Sequence, residues 1–244
     1  MVIAKLIFST MRKLIVLLLL TIPSLALAID LEGYYITAKG GASKTFNTGA
    51  TSFDDGDTLS FQNEDLGTGT AFGFSAGKYL TDNFRLELEA IKRTSYAFDV
   101  GDTADITITN KAKIQTEAVF INGFYDFQPL SIRNTPITPY LGGGVGFSRN
   151  KMGTTVQNEN GLPDGTTGDG NTINQFTYKL SAGTLVSLTE QLSLDVNYQY
   201  VNLGAFESGT DKYEFGVYSN SLIRVFNGGD IKTQELMIGL QYKF

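Results

Sequence analysis

Glu87, Glu89 and Asp195 are the residues whose type and spacing first suggest chemistry. Two carboxylates two positions apart, with a third further along the chain, could serve as the acid and base of glycoside hydrolysis. A second group, Asp54-Asp55-Gly56-Asp57 with Glu64 and Asp65, offers the hard oxygen ligands that Ca²⁺ or Mg²⁺ prefers. A third, Gly142-Gly143-Gly144-Val145-Gly146, could form a backbone cradle for phosphate. Each meets an objection in the same sequence. The 244 residues contain no Cys and no His. That removes thiol nucleophiles, Cys-ligated zinc, the Ser-His-Asp triad and the commonest general base. The acidic group lacks a Ca²⁺ loop's Gly at position six and Glu at position twelve, and reads as a solvated loop. The glycine run is followed by neither a helix signal nor Lys-Ser/Thr, so close strand packing explains it better. No catalytic, cofactor-binding or metal residue is therefore assigned, and the chain reads as a non-enzyme without a cofactor. A formal charge of −6 also argues against nucleic acid as a partner, since phosphate binding needs a basic face.

The elements that must position these residues announce themselves by strict alternation, the mark of a strand with two unlike faces. Leu192, Leu194, Val196, Tyr198 and Tyr200 oppose Ser193, Asp195, Asn197 and Gln199. Phe84, Leu86, Leu88 and Ala90 oppose Arg85, Glu87 and Glu89. The chain ends with Leu236, Ile238, Leu240, Tyr242 and Phe244 against Met237, Gly239, Gln241 and Lys243. Similar patterns start near Tyr34, Phe72, Leu141 and Phe176. The stretch 114–127 is apolar on both faces, and Val119, Ile121, Tyr125 and Phe127 are assigned to the outer one. Eight strands result, each near the ~9–11 residues that cross a bilayer as tilted β. Connections alternate between short turns, at 81–83 and 189–191 with a moderate one at 128–138, and long polar segments at 45–68, 97–112, 150–174 and 203–231. Leu80-Thr81-Asp82-Asn83-Phe84-Arg85-Leu86 is echoed by Leu188-Thr189-Glu190-Gln191-Leu192-Ser193-Leu194, each copy at a short turn. Hydrophobic positions in 203–231, among them Tyr213, Phe215, Val217, Leu222, Val225 and Phe226, leave a ten-strand variant open.

The first 28 residues read as an address. Lys5, Arg12 and Lys13 precede the apolar run 14–22, and Ala26-Leu27-Ala28 supplies a small-residue cleavage pattern. Removal of residues 1–28, counted from Met1 or a start at Met11, would leave residues 29–244 as the folded domain.

Alternation does not say whether the apolar face meets a core or lipid. Three features favour lipid. The polar face mixes charges (Arg85, Glu87, Glu89, Lys179, Asp195) with small residues, which suits a narrow barrel interior. Aromatics of the apolar face gather at strand ends, as in interfacial girdles: Phe84, Tyr125, Phe127, Tyr242 and Phe244 at the turn side, Phe147, Phe176 and Tyr200 at the loop side. The chain also closes on Tyr242-Lys243-Phe244. The expected fold is all-β: an eight-stranded antiparallel up-and-down transmembrane β-barrel with short periplasmic turns and long extracellular loops.

Gly33-Tyr34-Tyr35, Leu80 to Leu88, Asn122-Gly123-Phe124-Tyr125-Asp126-Phe127, Pro139 to Phe147 and Tyr242-Lys243-Phe244 together resemble the opacity-protein-like family of small outer-membrane barrels, which includes bacterial surface antigens and adhesins. The resemblance covers the strands and not the long segments. It implies residence in the cell outer membrane, contact with outer-membrane lipid and lipopolysaccharide, and no cofactor. It also implies delivery to the outer-membrane assembly machinery through the C-terminal Phe244. The expected function is a membrane anchor displaying loops for adhesion to a host surface ligand or for envelope contacts. The alternative is a narrow porin-like channel for ions or small solutes.

Overall fold

The computed structural model describes residues 31–46, 48–54, 57–64, 66–102, 108–132, 135–209, 211–212 and 224–244. The predicted signal segment 1–28 lies outside the described residues, as do Asp55, Gly56, Asp65 and 213–223. Eight long strands make the wall: β1 (Tyr34–Phe46), β2 (Thr68–Tyr79), β3 (Phe84–Asp102), β4 (Ile108–Asp126), β5 (Thr135–Met152), β6 (Asn171–Ser187), β7 (Leu192–Asn202) and β8 (Lys232–Lys243). Each pairs antiparallel with its sequence neighbours, and β8 pairs back onto β1, with Ile36 opposite Tyr242 and Ala38 opposite Leu240. The sheet therefore closes on itself and leaves no free edge along the wall. The ten-strand alternative is corrected by this closure: eight strands complete the wall, and the described residues of 203–231 add none to it, Tyr213, Phe215, Val217 and Leu222 lying outside the described residues.

The faces follow the alternation. Phe72, Phe74, Leu88, Leu141, Phe147, Phe176, Leu180, Leu236, Ile238 and Leu240 point outward and are at least half exposed. Tyr35, Lys39, Arg85, Glu87, Glu89, Phe120, Asn122, Lys179 and Asp195 point inward and are buried. On β4 the ambiguous stretch resolves as expected, with Ile121, Tyr125 and Phe127 outside and Ala118, Phe120 and Phe124 inside. A core of charge inside a shell of hydrocarbon is the inverse of a water-soluble barrel, and it identifies the apolar face as the lipid face.

The turns explain the internal echo. The backbone N–H of Leu80 and of Thr81 donates to the carbonyl of Phe84, while the Thr81 hydroxyl accepts from the N–H of Asn83 (3.3 Å) and Phe84 (3.0 Å). At the second copy, Leu188 and Thr189 donate to the Leu192 carbonyl, and the Thr189 hydroxyl accepts from Gln191 (3.3 Å) and Leu192 (2.9 Å). Leu-Thr-acid-amide is thus one turn design used twice, the Thr side chain filling donors that a tight turn leaves open.

The long segments differ from the loops expected of them. Strands β3 and β4 run 19 residues each and β5 and β6 run 18 and 17, well beyond a tilted crossing. Segment 150–174 holds a hairpin of Thr155–Glu159 and Leu162–Gly168, paired onto the end of β4. Segment 45–68 holds a hairpin of Thr48–Asp54 and Asp57–Glu64. Arg224–Gly228 adds to it, and Phe206–Glu207 adds to that. Polar sequence was read as loop, but ribbon above the membrane has no face against lipid, so it pairs without the apolar alternation that marks the wall strands.

Candidate functional site: the barrel interior and its outer mouth

The interior is filled in tiers. Nearest the short turns, Arg85 enters from β3 and donates through Nε to Asp126 (3.1 Å) and through Nη1 to Tyr35 (3.4 Å) and Gln241 (3.5 Å). Its guanidinium lies 4.3 Å from the Phe124 ring centroid and 4.6 Å from that of Tyr140. A desolvated cation gains from aromatic faces in such a cage. Tyr140 donates to Asp195 (2.6 Å), which also accepts from Asn197 (3.3 Å). The glycines make room: a Cβ on Gly142 would strike Phe124, one on Gly144 would strike Asn122, and one on Gly183 would strike Tyr140. The phosphate-cradle reading of the glycine run is thereby replaced by clearance for the large inward side chains of β4.

In the middle tier Glu89 is the hub. It is bridged by Lys39 from β1 (2.9 Å) and by Lys179 from β6, and accepts from Asn122 (2.8 Å). Glu87 lies 3.8 Å from Lys39 and accepts from Asn122 (3.1 Å). The link from β3 to β6 crosses the lumen. One tier higher, Arg93 grips Glu235 with two donors, Nε at 2.5 Å and Nη2 at 3.0 Å. Ser43 (2.6 Å), Thr233 (2.8 Å) and Gln199 (2.5 Å) donate to the same carboxylate. Among the described residues, four buried cations face five buried carboxylates, so charge is nearly balanced inside the barrel.

The outer mouth is apolar. Leu66, Phe98, Ile114, Met152, Leu203, Phe206 and Ile231 are buried together, with the Phe98 and Phe206 rings edge to face at 5.7 Å. Segment 203–206 folds over the opening. The Leu203 carbonyl accepts from Ser148 (2.5 Å) and Asn150 (2.9 Å), and the Ala205 carbonyl accepts from Asn150 (2.7 Å). Gly204 sits at φ +72°, the left-handed conformation that lets the chain reverse there.

The candidate carboxylates are thus placed in ion-paired tiers, not in a cleft. Glu87, Glu89 and Asp195 are each at most 5% exposed. Of the acidic first loop, Asp54 and Asp57 are register partners at the ends of two paired strands and Glu64 ends the second, while Asp55, Gly56 and Asp65 lie outside the described residues. Among the described residues no group of carboxylates is arranged to hold a metal ion. The sequence reading missed two things. The mouth cluster went unseen because its residues come from six segments. The hairpin at 155–168 went unseen although Asn160-Gly161, both at positive φ (50° and 81°), is a turn signal legible in the sequence.

A family model described as the outer membrane protein beta-barrel domain matches residues 14–244. The outer membrane protein PagN of Salmonella typhimurium is 27% identical over 237 residues, covering 87% of this chain and 90% of its own. A candidate adhesin of Rickettsia conorii is 26% identical, covering 72% of this chain and 68% of its own. Among solved structures, the outer membrane protein OprG from Pseudomonas aeruginosa superposes with a TM-score of 0.55 at 16% identity, covering 87% of this chain and 96% of that one.

Proposed function

The chain belongs to the outer membrane protein beta-barrel domain family and resides in the outer membrane, and from that premise we propose that it is a non-catalytic surface protein whose barrel anchors extended hairpins for adhesion. The observation that carries this reading is the contrast between the two ends of the wall. At one end two connections are short threonine-capped turns; the other end continues as hydrogen-bonded ribbon well past the apolar belt. Recognition commonly resides on segments held by a stiff scaffold. The Rickettsia relative, itself a candidate adhesin, supports the reading. The competing channel reading is weakened by ion pairs that span the lumen and by the apolar mouth.

In this reading residues 1–28 direct export and are removed, so that the domain begins at Ile29. Tyr242 and Phe244 present the terminal strand to the assembly machinery. The test compares cells displaying the protein with cells displaying a variant in which 156–167 is replaced by a two-residue turn. The variant keeps a heat-modifiable folded band on a gel and loses attachment to host-cell monolayers. Undiminished attachment by this variant and by a second one lacking 48–64 would sink the adhesion reading.

A further inference from the structure

The barrel interior carries one carboxylate more than it has cations to match. Arg93 is matched by Glu235, and below that pair Lys39, Arg85 and Lys179 face Glu87, Glu89, Asp126 and Asp195. Lys39 and Lys179 converge on Glu89, Glu87 lies beside Lys39, and Arg85 holds Asp126. Asp195 is left over. Among the described residues no cation bridges it, and it is 5% exposed. Its partners are the Tyr140 hydroxyl (2.6 Å) and the Asn197 amide (3.3 Å), neither of which carries a charge. A carboxylate taken out of water and left unmatched is strongly destabilising, so the surplus calls for a cation from outside the chain.

Next to Asp195 runs a level of the interior that offers oxygen and little bulk. Ser75 lies opposite Thr37, Ser181 opposite Gly142, Asn122 opposite Gly144 and Asn197 opposite Gly183. The hydroxyls of Thr37, Ser75 and Ser181 and the amide oxygens of Asn122 and Asn197 have no hydrogen-bond partner in the protein, although none of these residues is more than 7% exposed. The two amide groups have spent their donors on carboxylates, Asn122 on Glu87 and Glu89 and Asn197 on Asp195, which leaves their oxygens free to accept. Buried polar atoms without protein partners mark where water or an ion belongs. The surplus is a single negative charge, which one monovalent cation balances. A divalent ion would overcompensate it and prefers several carboxylates, a grouping absent among the described residues. We propose that the interior between the Arg85 tier and the Glu89 tier binds one hydrated sodium or potassium ion, with Asp195 as its counter-charge and the oxygens of Asn197, Ser181, Thr37 and Ser75 about its water shell. The site rests on the closed barrel and not on the adhesion reading, whose attachment assay is independent of it.

The test equilibrates the protein with zwitterionic phospholipid vesicles at its urea midpoint, in sodium, potassium or N-methylglucamine chloride at one ionic strength and one pH. The folded fraction is read from the unheated gel band. The folded-to-unfolded ratio of wild type rises about tenfold between N-methylglucamine alone and an alkali cation at ten times the midpoint of its titration. Asp195→Asn still gives the folded band and loses that rise. Ser181→Ala, which deletes one oxygen and no hydrogen bond to protein, moves the titration midpoint to higher cation concentration, while Glu117→Gln on the outer wall leaves it in place. Equal ratios in the three salts, an undiminished rise in Asp195→Asn, or a rise obtained only with Mg²⁺ or Ca²⁺ overturns the site. Should Asp195→Asn fail to fold, Thr37→Ala/Ser181→Ala carries the comparison, and an unmoved midpoint in that variant overturns the site equally.

Discussion

Glu235 illustrates what single residues do inside this wall. It accepts from Arg93 twice and from Ser43, Thr233 and Gln199, so one carboxylate organises side chains from β1, β3, β7 and β8. Glu235→Ala leaves the Arg93 guanidinium buried without its counter-charge. The expected loss is about 3–5 kcal/mol in urea unfolding from lipid vesicles. Arg93→Met combined with Glu235→Leu is expected to recover part of it, because no lone charge then remains. A double variant no better than Glu235→Ala would mean that the hydroxyl and amide donors, not the ion pair, dominate. Tyr35 and Tyr140 do related work around Arg85, and their bulk is admitted only where Gly77 and Gly183 stand opposite.

At the scale of elements, the paired Thr81 and Thr189 turns make a direct prediction. Thr81→Ala and Thr189→Ala each remove an acceptor for two backbone donors, at about 1 kcal/mol apiece. The two losses add in the double variant because the turns share no partner; a marked departure from additivity would show that the turns communicate. Lipid contact sets the second prediction. Ile238→Arg on β8 is expected to cost about 2–4 kcal/mol in vesicle folding if it sits near the midplane, whereas Gln234→Arg, two steps toward the rim, is tolerated. Equal penalties would contradict the placement of the belt. The strands were legible in the sequence wherever alternation was unbroken, as along Phe84 to Ala90 or Leu192 to Tyr200. Legibility ended at a β-bulge: Arg93 pairs with Thr116 but Tyr96 pairs with Ile114, so β3 carries one extra residue. Beyond it, Tyr96 and Phe98 face inward where odd-numbered residues had done so before. A period-2 reading fails at such a shift, and the outer half of β3 was consequently read as the start of a loop. The interior ion pairs were readable as inward charges. Their partners were not, since closure of the wall decides which strands face each other across the lumen.

For the molecule as a whole, interior and mouth act as two stoppers of different chemistry, one of balanced charge and one of hydrocarbon. Ser148→Ala/Asn150→Ala removes the donors that hold segment 203–205 over the opening. Wild type and this variant are both expected to show no steady single-channel current in planar bilayers. A combined Glu89→Ala and Ser148→Ala/Asn150→Ala variant, which disturbs both stoppers, is expected to flicker open. Steady current through wild type would refute the plugged interior.

The ribbon above the belt is raised on two flanks by different means. Strands β3 to β6 exceed β1, β2, β7 and β8 by four to eight residues, on the order of 10–25 Å of extra strand at roughly 3.3 Å per residue. Above β1 and β8, Thr48–Asp54 and Arg224–Gly228 take up the same register again, Ala50 opposite Gly228 as Phe46 is opposite Lys232. Whatever approaches from outside meets a parapet on either side. Long sugar chains growing from neighbouring lipids would overtop so modest a height, and cells with truncated chains would leave it in plain sight.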